Sequence, residues 1–559
     1  MIVTMSPSPP PAEQSRPARA ELLCLAGAIL LGAILRLSFP SRMAIEHFDE
    51  GVYASNFWFG AEEGYEYPAR HLYAPPLLPA AIEWTMIIAS LLGVRPTGFV
   101  PMIPSLLAGL ASIPSIWWVG RRWFGPSAGI VSAWLVAASD FHSSYSRAAL
   151  TDVPVCLFIL WGVYFIWQAL RTGTRRDIIL AAVFTALAWW TKYNGWLPLA
   201  VGLSGAVAWQ VTLPPGERQL AHVAKRWLLV AGLSFLLWSP VLIGLQKYGG
   251  YNAVAANHGQ YVGGIAKWPE TAGKQLDHIA TYDGPFRPLC DSYPANYLAI
   301  KLGIWIPRQL EWLPSILLLI GVVTVCLLCW YRRVRLPTSG ANWVLLAWIC
   351  GLTVATPFYY PYPRLVLPWM AAAWLGAGLL VQYAIDSGVI FSLSPGRSSQ
   401  SWRPQWLEIS IACWLVAATL TTQHLHAWED RGTLAKIVDW CSEHIKRETV
   451  AAGHPGDEAI VYVYGLPAAV FRLKADGLPL VAPVADFRFL DSPSPRPTFF
   501  VFPTDFQDEP KFSQLWEAKR DRFGQVWPRQ YGDSSLVMLD AERNAGFFRG
   551  GLCLVKVTN

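Results

Sequence analysis

Long apolar stretches separated by short polar loops follow one another along most of the chain. The first covers residues 22–37, and the others lie near 77–93, 99–119, 127–141, 153–170, 177–191, 195–212, 227–246, 311–330, 342–358, 365–385 and 406–425. A helix needs about 20 apolar residues to cross the hydrocarbon core of a bilayer, so several stretches are marginal by length alone. The pattern predicts a polytopic all-α membrane domain.

Basic residues in the loops set the predicted topology. They cluster at Arg121 and Arg122, at Arg171, Arg175 and Arg176, at Arg218, Lys225 and Arg226, at Arg332, Arg333 and Arg335, and at Arg397 and Arg403. Cytoplasmic loops carry the excess of Lys and Arg. All clusters lie on the cytoplasmic side, together with Arg16 and Arg19, only if the 77–93 stretch does not cross. We therefore expect about eleven spans, with 77–93 as an interfacial or re-entrant helix in the first outer loop.

The two ends of the chain differ from this middle part. Residues 1–19 are rich in Pro and Ser, which predicts a disordered cytoplasmic N-terminus before a transmembrane domain at 20–426. From 427 to 559, short apolar runs near 460–464, 498–502, 536–539 and 553–557 stand among helical patterns such as 434–446. This segment predicts a small soluble α/β domain on the extracytoplasmic side.

The composition indicates a multi-pass protein, which we place in the plasma (inner) membrane, and excludes other classes. Hydrophobic residues make up 53% and charged residues 15% of the 559 positions, against roughly 25% charged in an average soluble protein. A net charge of +6 over this length is too dilute for a nucleic-acid-binding patch. Cys441 and Cys553 lie in the soluble segment, and the sequence leaves open whether they form a disulfide.

An acidic pair, Asp49 and Glu50, follows the first span directly, in the sequence His47-Phe48-Asp49-Glu50-Gly51. Carboxylates at the edge of the hydrocarbon core are costly unless they are solvated, paired or functional. Taken alone, the pair also fits the solvated start of a loop.

Further charged residues lie on the same predicted face. Arg147 and Asp152 stand close together where a span begins, and Asp152 also fits a helix cap. Lys192 and Arg364 lie at the outer ends of two other spans, although a lysine there can instead extend to a lipid phosphate. Together, acids and cations at the outer ends of spans predict one cavity that holds a phosphate at membrane depth.

These motifs resemble those of the GT-C glycosyltransferases, in particular the group of dolichyl-phosphate-mannose–protein mannosyltransferases and aminoarabinose (lipid A) transferases. The matching segments are Phe48-Asp49-Glu50, Tyr73-Ala74-Pro75-Pro76-Leu77, Gly120 to Gly125, Ser146-Arg147 through Asp152, Thr191-Lys192, Arg364 to Pro368 and Tyr462 to Leu473. Ala74 stands where the family has a histidine. The resemblance covers about residues 20–480.

The resemblance implies an inverting transfer of a hexosyl or pentosyl group. The donor is a polyprenyl-phosphate sugar, and the acceptor is a protein, lipid or glycan on the extracytoplasmic face. Asp49 is implied as the general base, with Glu50 poising it and Asp152 positioning it or the sugar.

The implied donor-phosphate ligands are Lys192, Arg364 and Arg147, whose positive charges stabilise the departing phosphate. A divalent metal stays open as a cofactor, with Asp49, Glu50 and His71 as its candidate ligands. Ala74, which replaces the family's histidine, has no side-chain atom that can bind a metal.

Two other functions stay open. The same charges suit a transporter or flippase of lipid-linked sugars. Such carriers place charged groups near the bilayer midplane and often show two related halves, whereas here the charges lie at span ends and no halves are apparent. The third hypothesis is a non-catalytic assembly protein whose outer domain binds a partner.

Overall fold

The structure of the chain is a computed structural model that describes residues 17–55, 67–274, 339–360, 362–386, 426–491, 494–504, 510–529 and 551–558. In the described residues before 387, the chain is helical. The helices are α1 (Arg19–Leu37), α2 (Phe48–Ala54), α3 (Leu77–Leu91), α4 (Ile103–Trp123), α5 (Pro126–Ala138), α6 (Asp140–Ser146), α7 (Asp152–Thr172), α8 (Arg175–Thr191), α9 (Leu197–Thr212), α10 (Leu220–Leu245), α11 (Gly250–Gly259), α12 (Ser339–Ala355) and α13 (Leu367–Asp386).

The predicted all-α membrane domain is confirmed. Within the described residues, six helical segments are long and apolar enough to cross a membrane: Arg19–Leu37, Val100–Trp123, Asp152–Thr172, Pro215–Tyr248, Gly340–Phe358 and Pro363–Asp386. Shorter apolar helices are Leu77–Leu91, Pro126–Ala138 and Leu197–Thr212. The predicted spans 311–330 and 406–425 lie outside the described residues, so the number of spans stays a prediction.

Several helix ends meet at one end of the bundle. The carboxylate of Glu21, at the start of α1, accepts a hydrogen bond from Nε of Arg121 at the end of α4 (2.7 Å). The N–H of Ser127, at the start of α5, donates to Oε1 of Gln382 near the end of α13 (3.1 Å). The first span therefore begins on the same side as the basic turn at 121–122, as the charge pattern predicts; which side of the membrane this is stays a prediction.

Helix α3, like α5 and α9, is shorter than the hydrocarbon core of a bilayer is thick. Its 15 residues extend about 22 Å, against a hydrocarbon core of about 30 Å. Trp84, Ile88 and Leu91 are exposed along it, whereas Ile82 and Met86 are fully buried. An apolar outer face on a short helix supports the interfacial placement, which stays a prediction.

The C-terminal part folds around one five-stranded sheet, and the predicted α/β domain is confirmed in kind. Its strands are β1 (Ile460–Tyr464), β2 (Val481–Val484), β3 (Thr498–Pro503), β4 (Phe523–Arg529) and β5 (Leu552–Val557), and its helices are α14 (Thr433–Ala451), α15 (Pro467–Ala475) and α16 (Pro510–Ala518). The strand order is β2-β1-β3-β5-β4. Strands β2, β1 and β3 run parallel, and β5 pairs antiparallel with both β3 and β4.

The central strand β3 is buried at all six positions, because the sheet is covered on both faces there. Three of the predicted apolar runs correspond to β1, β3 and β5. Strands β2 and β4 were not predicted, since each contains a proline (Pro483 and Pro528) and lies at an edge of the sheet, where the apolar pattern is weak. The run at 536–539 lies outside the described residues.

Cys441 on α14 and Cys553 on β5 are not joined by a disulfide in this structure. Both lie buried as thiols in the sheet domain. Burial raises the pKa of the Cys553 thiol to about 11 and raises that of Cys441 well above its usual range. Both groups are therefore protonated and behave as small core residues.

Candidate active site

Helix α2 presents Asp49 in its first turn. The backbone N–H of Asp49 donates to Nδ1 of His47 (3.0 Å), and the carboxylate of Glu50 accepts from the N–H of His47 (2.9 Å). These reciprocal bonds form a capping box, which fixes where the helix begins. The side chain of Asp49 is left 16% exposed, so it can reach a substrate.

Two ion pairs contain four of the six charged residues that the sequence singled out. Nη1 of Arg364 lies 2.9 Å from Oδ2 of Asp49. Nζ of Lys192 lies 2.5 Å from Oδ1 of Asp152. Each pair joins segments far apart in the chain, and each acid faces a cation that stands at the end of another helix.

Tyr53 connects the two pairs. It is 2% exposed and lies on α2, one helical turn after Asp49. Burial raises the pKa of its phenol well above the usual range, and the charges of Asp49 and Asp152 act in the same direction while Arg364 opposes them. Both acids therefore lie near the same buried phenol.

His258 on α11 is a site residue that the sequence did not indicate. Its Nδ1 lies 2.9 Å from the hydroxyl of Tyr359, and its buried Nε2 has no partner among the described residues. Burial and the positive charge of Lys192 lower the pKa of its imidazole, and the backbone of Leu72 and the charge of Asp49 oppose them. No motif surrounds His258 in the sequence, so only the fold could place it beside Lys192 and Asp49.

Two tyrosines, Tyr73 and Tyr359, lie near Asp49. Burial raises the pKa of Tyr73 to about 12, with further contributions from the charge of Asp49 and from Tyr261. Burial likewise raises the pKa of Tyr359 to about 12, with Arg364 opposing. These rings give the charged centre an aromatic, hydroxyl-bearing wall, a surface that suits a sugar ring.

Glu50 does not face the two pairs. Its side chain is fully buried, and Oε1 accepts a hydrogen bond from the N–H of Ala149 (2.7 Å). Oε2 accepts from the N–H of His47, the N–H of Glu46 and Nη2 of Arg431. Both carboxylate oxygens are therefore occupied by protein donors.

Arg147 is also turned away from the pairs. Its guanidinium donates to the backbone carbonyls of Arg36 (2.9 Å), Ser38 (2.6 Å) and Phe39 (3.3 Å), at the end of the first span. Burial, followed by the charge of Arg431, lowers its pKa to about 10, so it stays charged at neutral pH. Arg147 therefore caps the backbone carbonyls at the C-terminal end of α1.

The described residues contain no group of three or more His, Cys, Asp or Glu side chains that could hold a metal ion. The ring of His71 stacks on Tyr248, with the ring centroids 4.0 Å apart, and its carbonyl accepts a hydrogen bond from Tyr193. Since Glu50 is bound elsewhere, the acidic pair and His71 do not form a joint ligand set here.

Part of the membrane domain matches a known protein family. Residues 74–243 match the family model described as dolichyl-phosphate-mannose-protein mannosyltransferase. The matched segment runs from before α3 to α10 and includes Asp152 and Lys192. No curated protein sequence matches the chain.

Solved structures resemble the chain over most of its length. The crystal structure of ArnT from Cupriavidus metallidurans bound to undecaprenyl phosphate has a TM-score of 0.54 at 15% identity, covering 96% of this chain and 97% of that one. The archaeal oligosaccharyltransferase AglB from Archaeoglobus fulgidus, in complex with an inhibitory peptide and a dolichol-phosphate, has a TM-score of 0.53 at 13% identity, covering 91% and 73%. At these identities the likeness concerns the fold. The chain therefore has the fold of the GT-C glycosyltransferases, with a segment that matches the dolichyl-phosphate-mannose–protein mannosyltransferase family.

Proposed function

We propose that this chain is an integral membrane glycosyltransferase that moves a sugar from a polyprenyl-phosphate-linked donor to a protein, lipid or glycan acceptor. One observation carries the proposal: the pairs Asp49–Arg364 and Asp152–Lys192 meet around Tyr53. The comparisons add support. The matched family is named for dolichyl-phosphate-mannose, and the ArnT and AglB structures hold undecaprenyl phosphate and a dolichol-phosphate.

Lys192 and Arg364 bind the phosphate of the donor. In the described residues each is paired with a carboxylate at the site, and a phosphodiester offers stronger, multidentate acceptors for the same donors. Both cations are only partly exposed, at 21% and 13% of the side chain, so water screens the attraction weakly. Donor binding therefore exchanges carboxylate for phosphate at each cation.

That exchange prepares Asp49 to act as the general base. When Arg364 turns to the phosphate, the Asp49 carboxylate becomes available to an acceptor hydroxyl. The hydroxyl oxygen attacks the anomeric carbon as its proton passes to Asp49, and the bond from that carbon to the phosphate oxygen breaks. The oxygen leaves with the bonding electrons as a phosphate monoester, held by Lys192 and Arg364, and the anomeric configuration inverts.

Asp152 and His258 orient the reacting groups. Oδ2 of Asp152 and Nε2 of His258 are buried and without a hydrogen-bond partner among the described residues. Buried polar atoms are normally satisfied, so each is suited to a hydroxyl of the sugar or acceptor. Before the donor binds, Oδ1 of Asp152 is paired with Lys192.

Glu50 and Arg147 take supporting roles in this proposal. Both oxygens of Glu50 accept hydrogen bonds from protein donors. Glu50 therefore acts by fixing α2 and the loop at 147–151, and not by poising Asp49 directly. Arg147 is bonded to three backbone carbonyls, so it shapes the end of the first span and does not contact the phosphate.

The proposed site lies on the extracytoplasmic face of the plasma (inner) membrane. Its residues stand at the end of the bundle opposite to the basic turn at 121–122, which the positive-inside rule assigns to the cytoplasm. We propose the domain limits 1–19, 20–426 and 427–559, with the first segment in the cytoplasm and the last on the extracytoplasmic side.

Binding of undecaprenyl phosphate tests the donor half of the proposal. Undecaprenyl phosphate is expected to raise the unfolding temperature of the purified protein in detergent, whereas undecaprenol, which has the same chain without the phosphate, leaves it unchanged. An equal effect of both lipids would show that the tail alone is recognised and would contradict a phosphate site.

Sugar transfer tests the reaction itself. Membranes that contain the protein are supplied with labelled undecaprenyl-phosphate mannose or undecaprenyl-phosphate aminoarabinose, and the label is followed into acceptors while undecaprenyl phosphate is released. Label that crosses the vesicle membrane while still attached to its lipid would favour the flippase instead.

A further inference from the structure

An arginine of the C-terminal segment is buried against the helix that carries Asp49. Arg431 lies just before α14, and its Nη2 is 2.5 Å from Oε2 of Glu50 on α2. Its Nη1 donates to the carbonyl of Arg147 (2.8 Å), and its own N–H donates to the carbonyl of Arg42 (2.9 Å). The Arg431 side chain is 8% exposed and that of Glu50 is fully buried. One residue from outside the membrane domain thus joins three of its segments, two through its side chain and one through its backbone N–H.

Glu50 connects Arg431 to the two segments that carry Asp49 and Asp152. It is the residue next to Asp49, and its Oε1 accepts the N–H of Ala149, in the loop that leads to Asp152. The same carboxylate is therefore bonded to the start of α2, to the loop at 147–151 and to Arg431. Because Oε2 of Glu50 accepts a hydrogen bond from Arg431, a substitution at Arg431 removes one of the bonds that hold Glu50, and with it α2, in place.

The sheet domain touches α2 at a second place. Gly51 packs against the backbone of Pro467 and Ala468 at the start of α15, so closely that a Cβ at position 51 would overlap these atoms. The N–H of Leu434 on α14 also donates to Oε1 of Glu46, immediately before α2 (3.2 Å). The short helix is thus held between the membrane helices and the C-terminal domain.

We infer that the C-terminal domain positions the base of the proposed transferase, with Arg431 acting as a positioning residue through Glu50 on Asp49. The inference rests on the proposed function and gives the outer domain a role in it. In the part of the chain that the structure describes, the hydrogen bonds of Arg431 go to Glu50, Arg147 and Arg42, so its effect falls on the placement of Asp49. Lys192 and Arg364, the proposed donor ligands, stand on other elements, at the end of α8 and just before α13.

The chain offers a matched control. Arg95, in the loop after α3, pairs with Asp476 of the sheet domain at 2.5 Å, with 63% of its side chain exposed. This second arginine also bridges the membrane and outer domains, and within the described residues its ion pair is with Asp476 and not with a residue of α2. Arg95→Gln therefore removes an interdomain charge pair while leaving the anchor of Asp49 intact.

The experiment compares R431Q, R431K and R95Q with the wild type in membranes supplied with labelled undecaprenyl-phosphate mannose or aminoarabinose. For R431Q we expect kcat per folded molecule to fall about 100-fold, the usual scale for a base displaced by about 1 Å, with the donor KM changed less than threefold. R431K should recover part of the rate, because a lysine can still meet the Glu50 carboxylate. R95Q should match the wild type.

Amide hydrogen exchange in residues 46–54 should rise in R431Q and not in R95Q.

The outcomes separate this inference from the proposed function. A wild-type protein that turns over neither donor overturns the proposed function and the positioning role with it. A wild type that transfers sugar while R431Q keeps its kcat overturns the positioning role alone. If R431Q does not fold, R431K decides: a wild-type kcat with normal exchange in 46–54 overturns the inference, and a lowered kcat at unchanged donor KM supports it.

Discussion

Nη1 of Arg364 lies 2.9 Å from Oδ2 of Asp49, so the proposed base is ion-paired with a proposed phosphate ligand. The second acid and cation, Asp152 and Lys192, are paired in the same way. A site of this kind holds its charges without leaving any of the four buried and unpaired. It also links donor binding to activation of the base, because phosphate and Asp49 compete for Arg364.

Neutralising either cation should weaken donor binding. In K192Q and R364Q the stabilisation by undecaprenyl phosphate should fall, with the Kd rising about 10- to 100-fold, since a hydrogen bond to a charged group contributes about 1.5–3 kcal/mol. Lys247→Gln removes the same charge from an exposed position at the end of α10 and serves as the control. Equal losses in all three variants would indicate a general charge effect and not a phosphate site.

Asp152→Asn should separate binding from transfer. The variant leaves Lys192 without its carboxylate, so undecaprenyl phosphate should bind at least as tightly as to the wild type. Transfer should fall about 100-fold, because the carboxylate of Asp152 no longer orients the sugar. Thermal shift with undecaprenyl phosphate and the rate of donor turnover measure the two effects. If Asp152 is only a helix cap, both quantities stay near wild type once folding is accounted for.

Glu46 should make stability depend on pH. Burial raises the pKa of its carboxyl to about 8, although the charge of Arg431 opposes this. Between pH 4.5 and 8 the folded state keeps a proton that the unfolded state loses, so the free energy of unfolding falls as pH rises, by up to about 1.4 kcal/mol per unit. Glu46→Gln cannot titrate and should flatten the profile of unfolding temperature over that window. The exposed Glu217→Gln should keep the wild-type profile; an unchanged slope in E46Q would contradict the assignment.

Gly51→Ala should disturb the seating of the sheet domain. A Cβ at this position would overlap the backbone at Pro467 and Ala468, which cannot yield as a flexible side chain does. We expect a loss of about 1–3 kcal/mol in the free energy of unfolding and faster proteolysis of the outer domain. Gly232→Ala, in the interior of α10 with open space around it, is the control and should be tolerated. Equal stability of the two variants would show that α2 and α15 are not tightly packed.

The sequence predicted those features that have a local or periodic signal. Apolar stretches and basic loops indicated the helical membrane domain, and the positions of Asp49, Asp152, Lys192 and Arg364 at span ends indicated that they belong together. Which acid pairs with which cation depends on long-range packing, and no spacing along the chain encodes it.

The contributions of His258, Tyr53 and Arg431 were not predicted for the same reason. A lone histidine in a loop, a tyrosine inside a short helix and an arginine after the last apolar stretch carry no motif. Glu50 shows the opposite case. Its place in an acidic pair suggested chemistry, but the fold buries it and occupies both of its oxygens with N–H donors.

The most direct test of the account is transfer by Asp49→Asn, in membranes supplied with labelled undecaprenyl-phosphate mannose or aminoarabinose. The substitution keeps the size of the side chain and removes its ability to accept a proton. The account predicts a loss of about 10²- to 10⁴-fold in kcat, the range associated with general-base catalysis, with undecaprenyl phosphate still bound. Transfer at the wild-type rate by this variant would contradict the assignment of Asp49 as the base.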